Sequence, residues 1–232
     1  MDIKTRTRII KPVEREDFLT GEQIDEAMVR AGISERILAQ DDEDGNFLNL
    51  MHTPFLLEEA AIEVNETKYI VTASRPSEGG KIYIADFLND EMDAAAFRQN
   101  WEENEDFKRV VSALMRYPGN MHEWLMIKEL PTFKEMGIDF NLVKQVRTTI
   151  NQGFQFLYNG KAYTHGNNTG SSMMHRKLSE YIQTAYEEFC AGGGDPVEYL
   201  QALLQAFTDE FFNDECKIPK ELYIFAFPGA VY

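Results

Sequence analysis

The sequence predicts an α+β protein, with a small antiparallel sheet and helices in the N-terminal half and a helix-rich C-terminal half in which a β-hairpin is followed by a long helix. Three observations predict it. Asn159-Gly160 lies between two runs of alternating character, 153–158 and 161–164, and Asn-Gly is the favoured pair for the type I′ turn of a two-residue hairpin. Short runs rich in β-branched residues fall between positions 61 and 87. From Ser171 onward, apolar residues recur every three or four positions, the period of a helix with one buried face.

The elements follow in chain order. A short amphipathic helix is expected over 22–30, stopped by Gly32, and a second from Ser34 as N-cap. The acidic run 41–44 with Gly45 reads as a loop. Residues 61–64, 68–73 and 81–87 read as strands, with a turn at 77–80. Helices are expected at 90–100 and 106–116. Tyr117-Pro118-Gly119-Asn120 breaks the chain and suggests two regions: an acidic α+β region, 1–118, and a helical region with the hairpin, 119–232. Residues 121–130 read as helical or extended. A turn of helix at 132–136 is capped by Gly137, and a helix follows over 141–150. After the hairpin comes a loop at 165–170, a long helix over 171–189 that stops before Gly192–Gly194, a helix at 196–212 with Pro196 near its start, and a closing strand at 222–227.

Composition narrows the class. Of 232 residues, 44% are apolar and 12% aromatic, enough to build a packed core and too many for a disordered chain. No apolar run approaches the about 18 residues of a membrane span, and the first residues carry no apolar signal segment. Cys190 and Cys216 lack metal-ligand spacing, so reduced thiols in a cytoplasmic compartment are the simplest expectation, with a Cys190–Cys216 disulfide as the alternative. Net charge is −16, which alone disfavours nucleic acid. Its distribution is uneven: residues 1–106 sum to −14, 107–180 to +5 and 181–232 to −7.

Chemistry-bearing residues gather in that basic segment. Of four histidines, His52 stands alone in an apolar stretch and reads as structural. His122, His165 and His175 fall within 54 positions, with Asn151, Asn167 and Asn168 between them. A hairpin, then a loop with Asn, then a helix bearing His is an arrangement that a one-metal nuclease can use. One neutral imidazole takes a proton from water, and another holds a divalent cation against the phosphate. Three histidines at this spacing are equally compatible with surface or satisfied core positions. Other motifs fail. Gly192-Gly193-Gly194-Asp195 lacks the Lys-Ser/Thr of a phosphate loop, and Ser171-Ser172 lacks a strand–elbow–helix setting. The acidic runs lack calcium-loop spacing.

The order of residues from Asn120 to Tyr181 resembles the nuclease domains of the HNH / endonuclease VII superfamily that carry an Ala-His-His signature, known as toxin domains of bacterial polymorphic toxins. His122 stands at the start, in Met121-His122 where the family has paired His. Phe133-Lys134-Glu135-Met136-Gly137-Ile138-Asp139 matches the helix and Gly-Ile-Asp turn, and Asn151-Gln152-Gly153-Phe154-Gln155-Phe156-Leu157 resembles the Asn-Gly-apolar strand with one residue inserted. Thr169-Gly170-Ser171-Ser172-Met173-Met174-His175, with Tyr181, matches the loop and helix start. The resemblance implies a metal-dependent endonuclease, delivered to a target cell as an effector or surviving as a degenerate relative. His122 would be the general base, with Asn151 or Asn168 orienting the site. His175 would be a ligand of Mg, Mn or Zn, with His165 as a second ligand. Lys144, Arg147, Lys161, Arg176 and Lys177 would hold phosphates, although such basic residues also read as a solvated helix face.

A second reading stays open. A non-enzymatic acidic protein, an immunity or inhibitor protein or an adaptor, would use the carboxylates of the flanks to engage a basic protein partner.

Overall fold

A computed structural model describes residues 7–9, 58–77, 79–119, 121–149, 154–164, 168–212 and 216–231. The helices expected at 22–30 and from Ser34, the loop 41–44, His52, Asn151 and His165 lie outside these residues. Helices and small sheets are mixed as expected, with the helix-rich C-terminal half holding a hairpin followed by helices. The chain divides into two compact units, Met1–Gly119 and Asn120–Tyr232. Among the described residues no helix is long and apolar enough to cross a membrane.

The first unit carries a sheet in the order β1 (Thr7–Ile9), β2 (Glu59–Val64), β3 (Thr67–Thr72), β4 (Lys81–Tyr83). The first three strands are antiparallel, and β4 joins parallel to β3. β2 turns into β3 through Asn65 and Glu66, both at positive φ, which places a carboxylate-bearing residue in a region that side chains disfavour.

The run 81–87, expected as one strand, is extended only to Tyr83 and then becomes helix α1 (Ile84–Asp90). The reason lies in the pattern. Ile84, Ala85, Phe87 and Leu88 are all buried, a spacing that fills one helical face. α2 (Ala94–Glu103) starts four residues later than expected, because the Asp93 carboxylate accepts the Ala96 N–H and fixes the cap there. α3 (Glu105–Arg116) is capped in the same way by Asn104 on Phe107 N–H. The core of this unit centres on Phe97, whose ring lies 5.7 Å from Trp101 and 5.8 Å from Phe107.

The second unit opens with β5 (Met121–Glu123), which pairs antiparallel with β6 (Arg147–Thr149). Between them run a 3-10 turn (Ile127–Glu129), α4 (Leu130–Met136) and α5 (Phe140–Gln145). Pro131 opens α4, and Gly137 at φ 77° closes it in the left-handed conformation that glycine adopts freely. The helix expected over 141–150 ends at Gln145. Val146, Thr148 and Thr149 are β-branched and favour extended chain, and the Val146 carbonyl accepts the Trp124 N–H to continue the pairing.

The hairpin forms as expected. β7 (Gln155–Tyr158) pairs with β8 (Lys161–Thr164), and Asn159 and Gly160 take φ 49° and 73°. α6 (Asn168–Gly192) and α7 (Pro196–Phe211) follow, packed on each other. The closing strand expected at 222–227 is instead helix α8 (Lys220–Ala226). Leu222, Phe225 and Ala226 are its buried residues, at i, i+3 and i+4, so this apolar run serves a helix face, with Ile224 left exposed. Cys190 and Cys216 are free thiols, the first exposed and the second buried.

Phenol-to-carboxylate hydrogen bonds recur in both units. Tyr69 donates to Glu91 at 2.6 Å and Tyr117 to Glu58 at 2.6 Å in the first. Tyr181 donates to Glu210 at 2.5 Å and Tyr186 to Glu135 at 2.8 Å in the second.

Because Gly160 holds a left-handed conformation that a β-branched residue resists, Gly160→Val is expected to destabilise the protein by about 1–2 kcal/mol. Urea denaturation checks the magnitude, and amide exchange should show lost protection in β7 and β8 first.

Candidate functional site

The site begins with strand β5. His122 lies in the middle of β5 and Trp124 just after the strand's end, two residues on, and Thr148 stands directly across from His122 in the β5–β6 register. His122 is 4% exposed, and Trp124 and Thr148 are wholly buried. The Trp124 ring meets the His122 imidazole edge-on, centroids 4.2 Å apart at 73°. Phe154, just before the hairpin, lies 5.5 Å from His122 and 5.2 Å from Trp124.

The second histidine arrives on α6. Met174, Leu178, Ile182 and Ala185 form its buried stripe. His175, one position past Met174, therefore sits about 100° round the helix from that stripe's first residue, half-buried. Ser179 Oγ donates to Glu129 at 2.8 Å and Gln183 Nε2 to the other Glu129 oxygen at 2.7 Å, which fixes the rotational phase of the helix. The result is the central fact of the site. The imidazoles of His122 and His175, 53 positions apart in sequence, lie with centroids 5.3 Å apart and planes within 12°.

Of the other expected residues, Asn168 opens α6. Asn151 and His165 lie outside the described residues. Arg176 and Lys177 follow His175 on α6, both near Glu180, at 3.9 Å and 2.6 Å. That carboxylate raises the Lys177 ammonium pKa through their hydrogen bond and is itself held below its ordinary range by Lys177. Lys161 is exposed on β8. Arg147 stands opposite Glu123 in the strand pair, and its Nε donates to the Lys144 carbonyl. Lys144 is 7% exposed, so its ammonium is not on the solvated helix face that the sequence suggested. Burial, and secondarily the nearby Arg147 charge, pushes its pKa from 10.5 down to about 7.

Sequence reasoning missed three residues that support His122. Trp124 Nε1–H donates to Thr148 Oγ1 at 2.8 Å, and the Thr148 hydroxyl donates to Glu221 Oε2 at 3.2 Å. Trp124 was within reach of a strand reading of 121–124. Glu221, 99 positions from His122, offered no local signal.

Among the described residues, no three His, Cys, Asp or Glu side chains gather as a metal-ligand group. A hard divalent cation keeps several waters and needs only one or two protein ligands besides the substrate phosphate. Such a cation prefers oxygen ligands, whereas an imidazole such as that of half-buried His175 suits zinc better.

The Lys144 shift carries a stability consequence. Its folded-state pKa lies below the unfolded value, so the folded form binds fewer protons between about pH 7 and 10.5 and stability rises with pH across that window. Lys144→Met is therefore expected to stabilise the protein at pH 6 by about 2–5 kcal/mol, an advantage that shrinks as pH approaches 10. Denaturant titrations at both pH values check it.

No family model, curated protein or solved structure matches this chain. The geometry above therefore stands on its own residues.

Proposed function

We propose that the second unit is a metal-dependent nuclease that hydrolyses phosphodiester bonds, as the resemblance to the Ala-His-His nucleases implies. The observation that carries this reading is the pairing of His122 and His175 at 5.3 Å between ring centroids. Two histidines from a strand and a helix meet with aromatic rings behind them.

His122 is the general base. Its imidazole takes a proton from water, whose oxygen attacks phosphorus as the ester oxygen departs. The edge contact of Trp124 and the ring of Phe154 restrict its rotation and exclude bulk water around it. A divalent cation bound at His175 would stabilise charge on the phosphate and on the leaving oxygen. Arg176 and Lys177, on the same helix turn, offer cationic groups to the flanking phosphates, at the cost of competing with Glu180. Asn168 stands at the start of that helix, and His165 precedes it in sequence.

The test is cleavage of plasmid DNA in the presence of Mg²⁺, Mn²⁺ or Zn²⁺ by the purified full chain and by His122→Ala and His175→Ala variants, each checked for folding by circular dichroism. Wild-type protein should cleave, and removal of the base should lower kcat by about 10²–10⁴-fold. Absence of metal-dependent cleavage, or cleavage indifferent to both substitutions, would overturn the reading.

A further inference from the structure

We infer that Glu221, acting through Thr148 and Trp124, is a positioning residue for His122. The argument starts from hydrogen-bond polarity. An indole Nε1 can only donate and a carboxylate can only accept. The Thr148 hydroxyl between them must therefore accept from Trp124 and donate to Glu221, and no reversed arrangement exists. The three groups form a one-way relay that leads from helix α8 to the buried face of the β5–β6 pair.

Its inner end bears on the candidate base. Trp124 is held at three places: its backbone N–H on the Val146 carbonyl, its indole nitrogen on Thr148, and its ring among Phe154, Phe207 and Phe212. A ring fixed in this way lies 4.2 Å from His122 at 73° and packs against the imidazole, whose plane is within 12° of that of His175. Thr148 also forms the cross-strand partner of His122, so the same residue sets both the strand register and the indole. The outer end is the charged one. Glu221 lies in the first turn of α8, where a helix N-terminus favours negative charge, and it is half-buried. The burial of Leu222, Phe225 and Ala226 fixes that helix in place.

The relay removes the hydrogen-bonding deficit that burying Thr148 and the indole N–H would otherwise leave. A purely structural pair of bonds would do that too. What distinguishes a positioning role is that cutting the relay moves His122 while the fold persists.

The catalytic consequence rests on the nuclease reading, so the experiment has two arms. The first records the imidazole nitrogen resonances of ¹⁵N-histidine-labelled full chain, with His122 and His175 assigned by substitution. It compares wild type with Thr148→Val, which removes the hydroxyl, and Thr148→Ser, which restores it. Glu221→Ala and Glu221→Gln form a second pair that carries the comparison should Thr148→Val fail to fold. The His122 resonances should shift beyond their linewidths in Thr148→Val and Glu221→Ala, and return towards wild type in the Ser and Gln variants. The second arm measures Mg²⁺-dependent cleavage of a DNA oligonucleotide. Cutting the relay should lower kcat by about tenfold to a hundredfold with KM unchanged, the penalty of a misplaced catalytic group. Unmoved His122 resonances in both Thr148→Val and Glu221→Ala overturn the positioning role, as does a wild-type cleavage rate that neither variant alters. Resonances that move in a protein that cleaves nothing uphold the relay and reject the nuclease.

Discussion

The second unit is organised by the burial of one indole. Trp124 follows a strand of three residues that would pair weakly alone, and its ring joins that strand to rings brought by the segment before the hairpin, by α7 and by the residue that closes α7. Removing about 200 Å² of aromatic surface from water, at about 25 cal/mol per Å², contributes about 5 kcal/mol. That is comparable with the whole net stability of many domains. The indole nitrogen makes this burial conditional, because an interior N–H must find an acceptor. Thr148 supplies the acceptor, which requires β6 to pair in one register. With Thr148 opposite His122, a histidine that could have been a surface residue is instead packed inside.

How much of this was legible follows from which forces are local. The hairpin was readable because Asn159-Gly160 is a local backbone preference and needs no partner to be recognised. Gly137 and Pro196 mark helix ends for the same reason. The three misread segments share another cause. Ile84 to Leu88 and Leu222 to Phe225 are short, largely apolar runs in which helical and extended spacing both place hydrocarbon inward, and Val146 to Thr149 follows a helix with β-branched residues that favour extended chain. Tertiary partners decide between the two: the joint burial of Ile84, Ala85, Phe87 and Leu88 selects a helix in the first, the Trp124 N–H on Val146 selects extended chain in the second, and the packing of α8 settles the third. At the candidate site, residue types and order pointed to His122 and His175, and the two rings do meet. The support around them was invisible, since nothing in the local sequence ties Glu221 to Thr148 or predicts that Lys144 turns inward.

The net charge of −16 is spread unevenly along the chain. The excess acid lies in the flanking segments, while the stretch that carries His122 and His175 is net basic. Within that stretch Lys144 is withdrawn from solvent, and Glu180 is shared between Arg176 and Lys177. The cationic character next to His175 is thus moderated. Exposed ion pairs of this kind are weak.

The four tyrosine–glutamate bonds show how the protein accommodates 39 acidic side chains with only 23 lysines and arginines to balance them. A neutral phenol lends a proton without bringing a charge, so these ties use a short directional contact in place of long-range attraction, and dissolved salt screens them far less than it screens an ion pair. For Tyr181, burial first and Glu210 second hold the phenol pKa at about 12, and for Tyr186 the bond to Glu135 does the same. Their folded-state values lie above the ordinary one, so whatever these bonds contribute is complete below about pH 10 and fades only as pH climbs through about 12. A molecule fastened in this way can keep its shape in brine or mild alkali.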